Sequence, residues 1–319
     1  MRAFIFPGQG SQAVGMGKAL ADASPAAREV FGEVDEALGQ HLFRLMAEGP
    51  ADDLLLTENA QPAIMANAIA TLRVLEREGG IRLADKADYV AGHSLGEYTA
   101  LCAAQSFDLR TTARLLKLRG RAMQAAVPVG EGAMAALLGA DLDKAQTIAG
   151  AAVDAIAAEG GGELVCTVAN DNDPSQVVIS GHRVAVERAV ALAKELGAKR
   201  AVLLPVSAPF HCPLMADAAT AMDDALVDVT LNAPLVPLYC NVDAVAIADP
   251  GTIRAALVAQ VTGMVRWRES VLAMAAAGVT EFVEFGGKVL SPMVKRIAPD
   301  VEAISVTSMD DIEALLKRL

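Results

Sequence analysis

The sequence predicts an α/β protein in which a smaller, split βαβ unit of ferredoxin type is inserted. Three observations predict it. Short β-like runs alternate with long alanine-rich helical stretches, the pattern of strands covered by helices. Hydrophobic residues make up 53% of the 319 residues, enough for one large or two smaller cores. Between residues 128 and 205 the order of elements changes to β-α-β-β-α-β.

Residues 3–6 read as a short apolar strand, stopped by Pro7-Gly8-Gln9-Gly10. Helical periodicity then dominates to about residue 78, with Pro50 and Pro62 marking breaks or helix starts. Residues 89–91 read as a second strand, followed at once by Gly92-His93-Ser94-Leu95-Gly96 and a helix. Pro128 and the glycines at 130 and 132 break the chain. Residues 134–138 then read as a strand and 142–158 as a helix. Residues 164–169 and 176–180 read as strands joined by the turn-rich Asn170-Asp171-Asn172-Asp173-Pro174. Residues 184–196 are helical and 201–206 form a strand. The expected division is a larger α/β unit made of 1–127 and 206–319, with 128–205 as the inserted ferredoxin-like unit.

Charge and composition exclude several functions. There are 27 Lys and Arg against 39 Asp and Glu, a formal net charge of −12. A field of that sign repels nucleic acid and anionic membrane, so neither is an expected partner. No stretch approaches 18 uncharged apolar residues, and the opening apolar run is too short for a signal peptide. Cys102, Cys166, Cys212 and Cys240 show no Cys-x-x-Cys spacing, which points to a reducing cytoplasmic compartment. Ligand spacing is missing among the histidines and cysteines, so no metal is expected. Gly8-x-Gly10 is followed by Ala13 where a dinucleotide loop has glycine, and Gln12 stands five before Gly17-Lys18, where a Walker loop has glycine.

Gly92-His93-Ser94-Leu95-Gly96 matches G-x-S-x-G between an expected strand and helix. A serine on such a tight turn projects its hydroxyl outward, and the flanking glycines leave room for the turn. The N–H of Leu95 then lies where a tetrahedral oxyanion would form. A nucleophilic serine needs a base, and the histidines are His41, His93, His182 and His211. His93 adjoins the serine, so its ring is expected to point away; His41 and His182 suit surface or capping positions. His211 falls in the irregular segment Ser207-Ala208-Pro209-Phe210-His211-Cys212-Pro213 and is the base by elimination. No histidine follows it, which disfavours an ordinary esterase or lipase with its late histidine.

Residues 111–126 read as one helix, advancing about 100° per residue. Thr112, Leu115, Leu116, Ala122, Met123 and Ala126 share the face of Arg119, whereas Arg110, Arg114, Lys117 and Arg121 fall opposite. A guanidinium on the apolar side requires an anion. That anion is either an internal carboxylate or a substrate carboxylate held bidentately. A serine acyl-enzyme beside an unpaired arginine would select acyl groups with a free carboxylate, of which malonyl is the simplest.

Several motifs together resemble the malonyl-CoA:acyl carrier protein transacylase family. They are Gly8-Gln9-Gly10-Ser11-Gln12, Gly92-His93-Ser94-Leu95-Gly96-Glu97, Leu118-Arg119-Gly120-Arg121-Ala122-Met123-Gln124 and Phe210-His211. Asn170 with Gln176-Val177-Val178-Ile179-Ser180-Gly181, Gln260 before Val265-Arg266-Trp267, and Gly287-Lys288-Val289-Leu290 extend the match over essentially the whole chain. The resemblance implies a hydrolase-like core with a short parallel sheet and a ferredoxin-like insertion. It implies Ser94 as the nucleophile carrying malonyl, His211 as the base, and Gln260 as the residue whose main-chain carbonyl orients the histidine. Gln12 and Leu95 resemble the oxyanion-hole donors, Arg119 the clamp on the malonyl carboxylate, and Asn170 a residue near the site. Phe210 resembles the malonyl-selective form of its loop. Gly286-Gly287 stands where the family often has Gly-Pro, a change expected to touch only a turn. Malonyl-CoA and acyl carrier protein are the implied partners of a monomeric enzyme without a cofactor. An acidic carrier would meet an acidic enzyme through local basic residues, with Lys194, Lys199, Arg200, Arg266, Arg268 and Lys288 as candidates. A serine hydrolase and a non-catalytic carrier-binding scaffold are the alternatives, separated by product analysis and by detection of a covalent adduct.

Overall fold

The computed structural model describes residues 1–206 and 208–319, so Ser207 of the segment leading to His211 lies outside the described residues. Strands β1 (Arg2–Phe6), β2 (Tyr89–Gly92), β7 (Leu238–Tyr239), β8 (Ala246–Ile247), β9 (Glu281–Phe285) and β10 (Glu302–Val306) form one sheet. The remaining strands, β3 (Gly132–Leu138), β4 (Cys166–Asp173), β5 (Gln176–His182) and β6 (Arg200–Leu203), form a second. The first sheet has the order β10-β9-β1-β2-β7-β8, parallel throughout except for the β7–β8 edge pair. Successive side chains of β1 alternate between two cores. Phe4 and Phe6 pack with Val90, Leu238 and Phe285 on one face, and Ala3 and Ile5 pack with Ala91, Tyr239 and Phe282 on the other. Apolar residues on both faces are what a parallel sheet covered by helices demands. The C-terminal ends of β1, β2 and β7 lie side by side, and the segments leaving them carry Gln12, Ser94 and Asn241. That edge is where ligands bind in open α/β sheets.

The second sheet is antiparallel, with the order β4-β5-β3-β6. Helices Leu142–Ala158 and Arg183–Leu192 complete the β-α-β-β-α-β sequence and pack a separate core against it.

Three details differ from the sequence reading. Asn170–Asp173 are not a turn but the end of β4, irregular in register, and the turn falls at 174–175. Their polar side chains have partners at long range: Asn172 reaches His93, and the buried Asp171 and Asp173 pair with Arg268 and Arg296. Tertiary pairing thus overrides the local turn preference. Pro62 does not break a helix but lies inside Thr57–Gly79, most of whose residues are buried. One missing backbone bond is outweighed there by packing on every side. Strands β7 to β10, two to five residues each, were not distinguished by sequence pattern.

Candidate active site

Ser94 sits on the turn between β2 and the helix Gly96–Ala103, with φ at 54° in the left-handed region. The two glycines of the pentapeptide are required by close approach. A Cβ on Gly92 would fall 1.9 Å from the Gly96 carbonyl, and one on Gly96 would fall 2.2 Å from the Phe6 oxygen. The strained turn is held from outside by Asn241. Ser94 N–H donates to Asn241 Oδ1 at 2.8 Å, and Asn241 Nδ2 donates to the Gly92 carbonyl at 2.7 Å. Among the described residues no acceptor takes the main-chain N–H of Leu95 or of Gln12, and both residues line the cavity at Ser94. Two free donors near the hydroxyl form the kind of pair that receives an oxyanion.

His211 is buried, at 4% exposure, and its Nε2 lies 2.8 Å from Ser94 Oγ. Its Nδ1 donates to the Gln260 main-chain carbonyl at 2.9 Å. A carbonyl can only accept, so Nδ1 carries the proton and Nε2 offers its lone pair to the serine O–H. Burial first, and then the charge of Arg119, push the His211 pKa down to about 3, so the ring is neutral at physiological pH.

Arg119 projects from the helix Leu109–Ala125 with 1% exposure. Its neighbours on the wheel, Thr112, Leu115, Leu116 and Met123, are buried, whereas Arg110, Arg114 and Arg121 are exposed and paired or bonded at the surface. The guanidinium meets no carboxylate among the described residues. It donates from Nη1 to Gln61 Oε1 at 2.8 Å, and from Nη2 to Gln260 Oε1 at 2.8 Å and Ser94 Oγ at 3.2 Å; Nε has no partner. Burial lowers its pKa from the ordinary arginine value. Gly120 brings this helix against the start of Thr57–Gly79, because a Cβ there would fall 2.5 Å from Glu58 Cα.

These groups open into a cavity of about 400 Å³, also lined by Asn170, Phe210, Leu55, Met123 and Met134. All eight residues singled out in the sequence therefore lie at one site: Gln260 touches Ser94 and Arg119 directly, and the other seven line the cavity. Gln12 Oε1 accepts from Gly10 N–H at 2.8 Å, which ties its loop. The His93 ring is taken up by Asn172 Oδ1 at 2.8 Å, and His41 and His182 stand at helix N-termini. Of the basic candidates, Arg266 pairs with Glu269 and Arg268 with Asp171, whereas Lys194, Lys199, Arg200 and Lys288 are exposed. No cluster of His, Cys, Asp or Glu among the described residues could hold a metal ion, and no described helix is long and apolar enough to cross a membrane.

Sequence reasoning missed Gln61, Asn241 and the use of Glu97. Gln61 shares its helix with other buried polar residues, Thr57, Asn59, Asn67 and Thr71, so nothing in the sequence set it apart. Asn241 and Glu97 are joined across 144 residues and left no local trace.

The profile of the acyl transferase domain matches residues 3–287. A malonyl CoA-acyl carrier protein transacylase of Escherichia coli is 45% identical over 318 residues, covering 99% of this chain and 98% of that protein. One of Bacillus subtilis is 43% identical over 318 residues, covering 99% and 96%. Among solved structures, an acyl-carrier-protein S-malonyltransferase of Bartonella henselae superposes with a TM-score of 0.94 at 52% identity, covering 99% of this chain and 98% of that one. A malonyl-transacylase solved in complex with a type II polyketide acyl-carrier protein superposes at 0.93 with 37% identity, covering 100% and 99%.

Proposed function

The chain belongs to the acyl transferase domain family, and we propose that it moves a malonyl group from malonyl-CoA to acyl carrier protein through a malonyl ester on Ser94. One observation carries the reading beyond generic acyl transfer. A buried guanidinium that touches no carboxylate among the described residues stands 3.2 Å from the hydroxyl that would hold the acyl group. Two carbon–carbon bonds of about 1.5 Å separate the ester carbon of a malonyl group from its carboxylate carbon. A three-carbon diacid on Ser94 is thus short enough to keep its carboxylate beside Arg119.

In this reading Ser94 Oγ attacks the thioester carbonyl while its proton passes to His211 Nε2. The Gln260 carbonyl, bonded to Nδ1, supports the imidazolium in the place an acid occupies in a serine triad. The N–H groups of Leu95 and Gln12 receive the oxyanion. Collapse breaks the C–S bond, and His211 returns the proton to the departing CoA thiolate. The carrier's phosphopantetheine thiol then gives its proton to His211 and attacks the ester, and Ser94 recovers its proton. Phe210 and Asn170 bound the acyl chamber. The proposal includes a monomeric, cytoplasmic enzyme without a cofactor. It also includes two units, 1–127 with 206–319 and the inserted 128–205, and an exposed basic surface at Lys194, Lys199, Arg200 and Lys288 that meets the acidic carrier.

The test is the intact mass of the protein after exposure to a panel of CoA thioesters. A malonyl adduct that is absent in Ser94→Ala, and that a carrier thiol removes much faster than water does, is the expected result. Release of free malonate at a rate indifferent to the thiol would make the protein a hydrolase, and no adduct at all would make it a scaffold.

A further inference from the structure

Glu97, Asn241 and Gln260 form a buried polar cluster next to Ser94, and neither Glu97 nor Asn241 lines the cavity. Glu97 follows Ser94 by three residues, in the first turn of the helix Gly96–Ala103, and is 1% exposed. Its Oε1 accepts from the Asn241 main-chain N–H at 2.9 Å, and its Oε2 accepts from Gln260 Nε2. Gln260 Nε2 also donates to the Ser94 carbonyl at 2.9 Å. The Gln260 amide is therefore fixed in one sense. Its nitrogen faces the Glu97 carboxylate and the Ser94 carbonyl, and its oxygen faces Arg119 Nη2. Turned the other way, it would set N–H against a guanidinium and oxygen against oxygen.

We infer that Glu97 is a positioning residue for acyl transfer: its carboxylate fixes the Gln260 side-chain amide, which in turn holds the Arg119 guanidinium. The inference rests on the reading of Ser94 and Arg119 given above. Glu97 touches neither the cavity nor a reacting atom. Its two oxygens meet only N–H donors, one of which, the Asn241 main chain, cannot turn around. An ionised carboxylate suits that pair of donors. A glutamine cannot, because one face of its amide must put N–H against N–H. The charged and titratable groups around Glu97 are Arg119, which favours its anion, and Asp243, which opposes it; Tyr98 and Cys240 lie close enough to feel its charge. Burial dominates and pushes the Glu97 carboxyl up to about 8. The anion that the two donors require therefore grows as pH rises.

The experiment compares Glu97→Gln with the wild type in single-turnover acylation of Ser94 by malonyl-CoA and by acetyl-CoA, read by intact mass across pH, with thermal midpoints alongside. The expected result is a loss of about 10- to 100-fold with malonyl-CoA, the range of one lost charged hydrogen bond. The loss with acetyl-CoA should be at least several-fold smaller, because only malonyl uses the aimed guanidinium. The wild-type malonyl rate should rise with pH along a limb centred near or below 8, a limb that Glu97→Gln lacks. Equal losses on both thioesters with a lowered midpoint would reduce Glu97 to a structural role and overturn the inference, as would a wild-type rate in the variant. Should that variant fail to fold, Glu97→Asp decides: its shorter carboxylate cannot reach both donors, so a ratio of malonyl to acetyl rates unchanged from wild type overturns the inference. A wild type that forms no malonyl adduct would instead refute the reading on which the inference stands.

Discussion

Replacing Arg119 with alanine should reduce acylation by malonyl-CoA about 30- to 3,000-fold while leaving acetyl-CoA within about tenfold of its wild-type rate. The magnitude follows from the contacts. A carboxylate held by the guanidinium in bidentate fashion makes two charged hydrogen bonds, each contributing about 1.5–3 kcal/mol, or about 3–6 kcal/mol together. Its arrival displaces the donor contact to Ser94 Oγ at 3.2 Å, a term of about 1 kcal/mol to be subtracted. About 2–5 kcal/mol remains, at about 1.4 kcal/mol per factor of ten. No discount for solvent screening applies, since Arg119 is 1% exposed. Acetyl presents no anion and has none of this to lose. The assay is the time course of the Ser94 adduct with each thioester, and a parallel Arg119→Met variant controls for the cavity. Arg119→Met leaves the buried side-chain oxygens of Gln61 and Gln260 without their donor, so its midpoint should fall, and the ratio of the two rates rather than the midpoint reports on the diacid. Equal losses on both thioesters would mean that Arg119 braces the protein rather than holding a diacid.

His211→Ala should slow Ser94 acylation by about 10²–10⁴, the scale of a general base, and an unchanged adduct time course would require another base. With its pKa depressed to about 3 from 6.5, folded His211 binds fewer protons than the unfolded chain between those values. Its contribution to stability is therefore complete above pH 6.5 and is lost as pH falls toward 3. Denaturant midpoints measured over that window should fall less steeply in His211→Ala, and identical slopes would contradict the assigned pKa.

Where the site was readable in sequence, the determinants were local. The Gly92 and Gly96 spacing encodes a turn that admits no side chain at either position, and the helical period alone put Arg119 with Leu116 and Met123. Where it was not readable, the determinants were partners far along the chain. The run of Asn and Asp at 170–173 has the composition of a turn, yet it is strand because Arg268 and Arg296, 97 and 123 residues on, neutralise its acids. Glu97 and Gln260 meet across 163 residues, so the motif that contains Glu97 could be quoted without its use being visible. The two-residue strands β7 and β8 bury too few side chains to leave a period, though β7 delivers Asn241 to the elbow.

Gly120 links the backbone to the selectivity. It follows Arg119 on the helix Leu109–Ala125 and faces the first turn of Thr57–Gly79. A Cβ there would lie 2.5 Å from Glu58 Cα and 2.7 Å from both Glu58 N and Thr57 O. All three are main-chain atoms, so no side chain can swing aside, and reaching ordinary contact requires the helices to part by about 1 Å. Gly120→Ala would gain helix propensity of about 1 kcal/mol and lose about 1–3 kcal/mol or more to overpacking, so a net loss of stability is expected. The displacement acts on Arg119 next door, whose contacts of 2.8 Å to Gln61 and Gln260 tolerate little movement. Misplacement by about 1 Å is enough to lower a rate about 100-fold. Malonyl transfer should therefore fall more than acetyl transfer in Gly120→Ala, even well below its unfolding temperature. A variant with a lowered midpoint but an unchanged ratio of the two rates would show that the guanidinium holds its place independently of its helix.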